Sequence, residues 1–420
     1  MLTKFRARNS SSGDITVFYS DATSTTPRGT TGLSIADVKR EIDSPLTQPC
    51  FRIYWLNPDE TVKKEVPQED IIDGGSYNEN YQNGQRRTLS FTLFNGNGDY
   101  TPSINGVWAG TKFSLEVGLT TTSGTTVWFP KGIYVVTSVS PTHSTDGMTV
   151  SVSLGDKYSL LTGASGTLET TYTIEPGSEI ESIIRDILST DKGDGYVLDP
   201  KPFIYDSLFK GKKTQATITQ EAGSTYGDII NELATQLSAE VFYDVEGHLN
   251  LVAINEVTNE VDKPILYDFY EDKGDFGENN FSFNFEEVVN RVIVIGSNVN
   301  SLLCQATAVN DDPSSPLCYQ RIGYRTASPI NDSNITTIPL AEERATYELR
   351  NKLILKSSIT TPARFNPLLL VNNLITVTDE FYGLYQEKFL IQSLSFNLDS
   401  SGTMSITSTN VRNIPFATGG

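Results

Sequence analysis

The sequence predicts a mainly β protein with an α+β insert, divided into residues 1–165, 166–278 and 279–420. Three observations carry this. Short stretches alternate apolar and polar residues with period two in both outer parts, as half-buried strands do. Gly, Asn and Pro turns separate them at short spacing, the pattern of a barrel or sandwich. The middle part switches to helical periodicity and holds most of the acidity: residues 166–278 carry 23 acidic and 8 basic side chains, a net of −15 out of −19 for the chain. A chain of 420 residues exceeds one core and fits roughly three domains.

In chain order, Ile15–Tyr19 reads as a short strand, residues 23–32 as a Thr/Gly/Pro loop, and Phe51–Leu56 as a strand closed by an Asn57-Pro58-Asp59 turn. The segment Arg86–Pro102 is the most regular. Leu89, Phe91 and Leu93 fall on one face and Thr88, Ser90 and Thr92 on the other, before a Gly/Asn turn. Strands are predicted at 113–119, 126–129, 133–139 and 148–154, with Ser123-Gly124 and Asp146-Gly147 as hairpin turns. Ser178 and Glu181 suggest a capping box that opens a helix with Ile180, Ile183, Ile184, Ile187 and Leu188 on one face. A second helix is predicted over 224–238, with Tyr226, Ile229, Ile230, Leu233 and Leu237 inward, then a hairpin, 240–243 and 249–254, turning at Glu246-Gly247. The apolar run 288–296 reads as a strand covered on both faces. Residues 310–334 are loop-rich, a helix follows over 341–356, and strands are expected at 375–378, 388–396 and 403–409. No sequence repeat is present, although β-rich ends around an insert could hide a structural duplication.

Composition excludes several classes of function. No apolar run approaches the ~20 residues of a membrane span, and the start lacks a secretion signal's apolar core, so synthesis in a cytoplasm is expected. Cys50, Cys304 and Cys318 form no disulfide framework and read as small apolar side chains; whether Cys304 and Cys318 meet is left open. A general nucleic-acid binder needs a basic face, and none is visible.

No cofactor, metal or catalytic site emerges from the titratable residues. His143 lies with Ser144 and Asp146 in a hairpin tip, whereas a catalytic triad needs groups converging from separate elements. Asp244, Glu246 and His248 bracket a glycine turn and read as turn residues before metal ligands. Asn95, Asn97 and Asp99 resemble the start of a calcium loop, but its twelfth position is Gly106 where a bidentate Glu is required. In Lys210-Gly211-Lys212-Lys213-Thr214 the phosphate-loop glycine positions are Ser207 and Lys212, so that motif fails. Glu175, Glu179, Glu181 and Asp186 lie on or near one helix whose other face is apolar; a solvated helix face is expected, and a glycan hydrolase built on them is a lesser alternative.

Several stretches, in order, resemble the central hub proteins of phage tail baseplates and tail tips. They are Asp73-Gly74-Gly75-Ser76-Tyr77, Arg86-Arg87, residues 93–102, 132–138 and 153–161, the hairpin 239–249, Asn290–Gly296, Asn310–Pro316 and Ile322-Gly323. The resemblance spans roughly residues 70–400 and leaves the first 45 unplaced. It implies two tube-like β-barrel domains flanking a small α+β module, with the N-terminal arm ahead of the first barrel. It also implies a homotrimeric, non-enzymatic virion part that adapts a sixfold tail tube to a central spike or tip and lines the DNA channel. The partners implied are further copies of the chain, a tail tube or distal tail protein, a spike or tip protein and a tape measure protein. Since no fibre or lysozyme-like extension follows residue 420, the spike is expected to be a separate protein. A distal tail or receptor-binding part is the structural alternative.

Overall fold

The computed structural model describes residues 48–410 apart from 104, 121–125, 146, 192, 194–196, 238, 254–263, 278, 283–287, 300–301, 314, 316, 334, 355–357 and 400, together with residues 7–9, 15–17, 40 and 42. The whole predicted loop over residues 23–32 and the Ser123-Gly124 turn lie outside the described residues, as does Asp146. The chain divides into two compact units. The first comprises residues 1–254, 363–371 and 393–405; the second comprises 255–362, 372–392 and 406–420.

The first unit begins with β1 (Ala7–Asn9) and β2 (Ile15–Val17). Then follow β3 (Gln48–Leu56), β4 (Val62–Glu65), β5 (Ile71–Asn80), β6 (Arg87–Phe94), β7 (Lys112–Thr120), β8 (Thr126–Ser144) and β9 (Gly147–Asp156). β6 runs as the alternation requires: Leu89, Phe91 and Leu93 are buried, with Arg87 on the same face. The two strands predicted at 126–129 and 133–139 are one. β8 continues through Gly132 because its first part pairs with β7 and its later part with β9. Its partner β9 enters at Ser144↔Gly147, the tight hairpin expected there. β2 adds in parallel to β8, and β1 pairs antiparallel with β2, so part of the unplaced N-terminal region is strand.

The acidic segment of this unit contains the one-turn α1 (Gly163–Gly166), β10 (Tyr172–Ile174), α2 (Ile180–Leu188), β11 (Ile204–Tyr205), β12 (Ile218–Gln220), α3 (Tyr226–Gln236), β13 (Ala239–Tyr243) and β14 (Leu249–Ala253). The predicted stripe of α2 is buried throughout, as are Ile229, Ile230 and Leu233 of α3. They pack over a small sheet ordered β11-β14-β13. The capping prediction changes place. Ser178 donates its hydroxyl to Glu175 O, and α2 starts without a side-chain cap. The box belongs to α3: the Thr225 hydroxyl accepts from the Asp228 N–H at 3.2 Å, and Asp228 accepts from the Thr225 N–H at 2.8 Å.

The second unit contains β15 (Ile265–Tyr270), β16 (Asn280–Ser282), β17 (Arg291–Val299), β18 (Leu302–Val309), the one-turn α4 (Tyr319–Ile322), β19 (Ile330–Asn331) and α5 (Ile338–Ile354). β20 (Ser358–Arg364), β21 (Leu374–Asp379), β22 (Leu384–Leu398) and β23 (Thr403–Asn410) follow, of which residues 363–364, 393–398 and 403–405 belong to the first unit. α5 packs Ala341, Ala345, Leu349 and Leu353 on Val292 and Val294 of β17. Ile293 and Ile295 on the other face are half-buried, so β17 is fully covered on one face, not two. Residues 393–398 of β22 pair with β5 in the first unit.

A duplication does exist in the topology. The six strands β3, β5, β6, β7, β8 and β9 lie side by side in the order β5-β6-β9-β8-β7-β3. Strands β15, β16, β20, β21, β22 and β23 lie in the order β16-β20-β23-β22-β21-β15. Counted along the chain, both sets, which belong to one 15-stranded sheet, read second, third, sixth, fifth, fourth, first. They differ at the last step: β3 pairs with β7 antiparallel, and β15 pairs with β21 in parallel. The β17–α5 segment is an insertion between the second and third strands of the later set.

Candidate functional site

The residues weighed from the sequence do not converge. His143 is exposed near the end of β8, paired across the hairpin with Met148. Asp244 accepts the backbone N–H groups of Glu246 and His248 at 2.9 Å each, which makes it the organiser of the predicted turn. Asn95 is buried, accepts from the Tyr100 N–H at 2.8 Å and donates to Thr101, whereas Asn97 and Asp99 are exposed. Lys210, Lys212 and Lys213 are exposed on a turn. Glu175, Glu179 and Asp186 are exposed, and Glu181 pairs with Arg185 at 2.7 Å one helical turn on. Among the described residues no three His, Cys, Asp or Glu side chains are grouped to hold a metal. Cys304 and Cys318 are both buried free thiols. Among the described residues no helix is long and apolar enough to cross a membrane.

The concentrated chemistry lies elsewhere in the first unit, in buried charges between its sheet and the α2–β14 segment. Glu60, in the β3–β4 turn, holds a left-handed backbone (φ 67°). Its Oε1 lies 2.8 Å from both Lys112 Nζ and Lys157 Nζ. Lys157 follows β9 directly; its Nζ also donates to Asp199 Oδ1 at 2.6 Å and to Gly247 O at 2.9 Å. The Tyr243 hydroxyl donates to Asp199 Oδ2 at 2.7 Å. Gly247, at φ 82°, lets its carbonyl approach, since a Cβ there would lie 2.8 Å from Ile133.

A second group adjoins it through Tyr243. Arg87 reaches Glu79 at 2.5 Å and donates to Tyr243 O at 2.7 Å. Arg86 pairs with Glu240 at 3.0 Å and lies over the Phe242 ring, and the Tyr81 hydroxyl donates to the same Glu240. Asp156 accepts the backbone N–H groups of Arg86, Arg87 and Tyr158. Thus Arg86, Arg87 and Lys157, all from the sheet side, reach Glu240, Tyr243 and Asp199 in the acidic segment. Such contacts position strongly, because removing one partner strands a buried charge.

Burial shapes the titration of these groups. It raises the Glu60 carboxyl, but Lys157 and Lys112 outweigh it and hold the pKa below the usual carboxylate range. It lowers the Arg87 guanidinium, and Glu79 more than reverses that. Burial pushes the Tyr243 hydroxyl well up, with Asp199 adding to the effect, so Tyr243 stays a donor. Lys131 is brought down to about 7 by burial, although Glu79 opposes the shift.

Sequence reasoning passed over these residues, yet a signal existed. Arg87 stands in phase with Leu89, Phe91 and Leu93, Glu79 in phase with Tyr77, and Lys131 inside Trp128–Ile133. A charge in the apolar phase of a strand marks a buried partner elsewhere. The partner's identity is not local information.

No protein-family profile and no curated protein sequence matches the chain. Solved structures do. The 43 kDa tail protein of prophage MuSo2 from Shewanella oneidensis is 15% identical, with 86% of this chain and 98% of that one covered at a TM-score of 0.58. The tail protein from Neisseria meningitidis MC58 is 12% identical, covering 87% and 98% at 0.59. Prophage tail protein gp18 from Listeria monocytogenes EGD-e is 13% identical, covering 85% and 94% at 0.50. Identity this low speaks to architecture, and the chain has the mainly β fold of these tail proteins.

Proposed function

We propose that the chain is a structural hub in the tail of a phage or a related injection apparatus. Three copies form a ring that adapts a sixfold tail tube to a central spike or tip around the DNA channel. The observation that carries this reading is the repeated strand order: two sets of six strands per chain with one order would give six such sets in a trimer. The fold shared with prophage tail proteins over nearly their whole length supports the setting. In this reading residues 1–165 supply the N-terminal arm and first tube-like domain, 166–278 the acidic module, and 279–420 the second tube-like domain with its insertion. The chain is made in the host cytoplasm and resides in the virion tail. It contacts tube or distal tail protein, spike or tip and, within the channel, the tape measure protein, and its role is structural rather than enzymatic.

Native mass measurement of the purified chain and copy counting in imaged tails test it. Three copies per tail in a threefold ring are expected. A chain that stays monomeric and never enters tails overturns the proposal, and six copies in a sixfold ring assign it to the distal tail instead.

A further inference from the structure

The arrangement around Lys157 brings a primary amine against two carboxylates in a sealed place. The side chains of Lys157, Glu60 and Asp199 are 0%, 1% and 1% exposed. They come from three separate segments, so their meeting is a product of the tertiary fold. Asp199 is the more polarised acid: besides Lys157, the Tyr243 hydroxyl and the Lys201 N–H donate to it, at 2.7 and 2.9 Å. Glu60 Oε1 lies 2.8 Å from the same amine. Its Oε2 is buried without a hydrogen-bond partner, with the Lys201 amine 3.7 Å away, so it keeps capacity to accept a proton. The other buried cations of the cluster do not offer this set. Arg86 and Arg87 carry guanidinium groups, which are poor nucleophiles; Lys131 donates to a backbone carbonyl, Leu369 O, at 2.9 Å; and Lys112 meets one carboxylate, Glu60, and Pro58 O.

From this geometry we propose that Lys157 and Asp199 join in a self-generated isopeptide bond, with Glu60 as the proton carrier. The Lys157 ammonium gives one proton to the Asp199 carboxylate through Glu60, leaving a neutral amine facing a neutral acid. The buried setting favours that exchange, because it removes two charges from a low-dielectric interior. The amine lone pair attacks Asp199 Cγ, forming the Nζ–Cγ bond. Glu60 takes a proton from the nitrogen of the tetrahedral adduct and passes it to a Cγ hydroxyl. The Cγ–O bond breaks, one water leaves, and Glu60 returns to its ionised form. Ammonium plus carboxylate thus become amide plus water, with no oxidant or co-reactant. The bond would tie the end of the first β-sheet to the acidic module, a staple made without cysteine.

The experiment is intact mass of the denatured full-length chain after expression and incubation at neutral pH, followed by peptide mapping. The expected result is a chain lighter by one water than its sequence, with a branched peptide joining Lys157 to Asp199. Lys157→Arg, which keeps the charge, restores the missing water, and Glu60→Gln lowers the cross-linked fraction at least tenfold. Arg86→Met disturbs the adjoining buried group, where Arg86 pairs with Glu240, without touching Lys157, Glu60 or Asp199, and keeps the cross-link, which separates chemistry from misfolding. A wild-type chain at full sequence mass overturns the proposal. So does a water deficit that maps to an Asp-Gly imide elsewhere or persists in Lys157→Arg, or a Glu60→Gln chain cross-linked as fully as wild type.

Discussion

Lys131 lies in the most buried part of β8, where its amine donates to Leu369 O at 2.9 Å. Its pKa of about 7 in the folded chain stands below the ordinary 10.5. The folded state therefore binds fewer protons than the unfolded state between those two values, and stability rises with pH across that window. Below about pH 7 the burial penalty is present in full, on the order of a few kcal/mol; above about 10.5 it has vanished. Lys131→Met should raise the urea midpoint clearly at pH 6 and little at pH 10. A gain independent of pH would show that the amine is not desolvated. Gly75 shows how a single atom matters nearby: a Cβ there would stand 2.2 Å from Ser90 O, beside the register shift in β5–β6. Gly74 has open space. Gly75→Ala should therefore cost several kcal/mol, on the scale of severe backbone or packing conflict, while Gly74→Ala stays within about 1 kcal/mol in the same denaturation assay.

At the scale of elements, hydrophobic phase was legible and hydrogen-bond choice was not. The buried stripes of α2 and α3 and the alternation of β6 follow from spacing alone. The capping box did not, since both Ser178 and Thr225 precede acidic residues in helical register. Thr225 won because its backbone is extended there and Asp228 closes the reciprocal bond, whereas Ser178 turns back to Glu175. Thermal melts should show Thr225→Ala losing about 1 kcal/mol and Ser178→Ala distinctly less. Equal losses would mean that the cap of α2 is drawn wrongly. The fusion of two predicted strands into β8 has a similar origin: Pro130 and Gly132 stand between them, but a register shift between Leu115 and Glu116 of β7 absorbs the irregularity.

At the scale of the whole molecule, charge and topology act together. The net of −19 is concentrated in one module, and repulsion among exposed carboxylates there opposes folding. Raising ionic strength from about 0.02 M to about 0.5 M should screen it and raise the melting temperature. The buried pairs around Lys157 and Arg87 are little affected by salt, so a fall in melting temperature would mean that exposed ion pairs dominate. The duplicated strand order left no trace in the sequence because each copy keeps only the β pattern, and many sequences satisfy it.

By itself the sequence determined most strands and helices, the buried stripes of α2, α3 and β6, and that the middle is acidic. These depend on residue period and composition, which are local. Only the tertiary structure decided that two sets of strands share one order, and that Glu60, Lys157 and Asp199 meet. Such contacts join residues up to 139 positions apart, and no local preference encodes which distant charge a buried one will find.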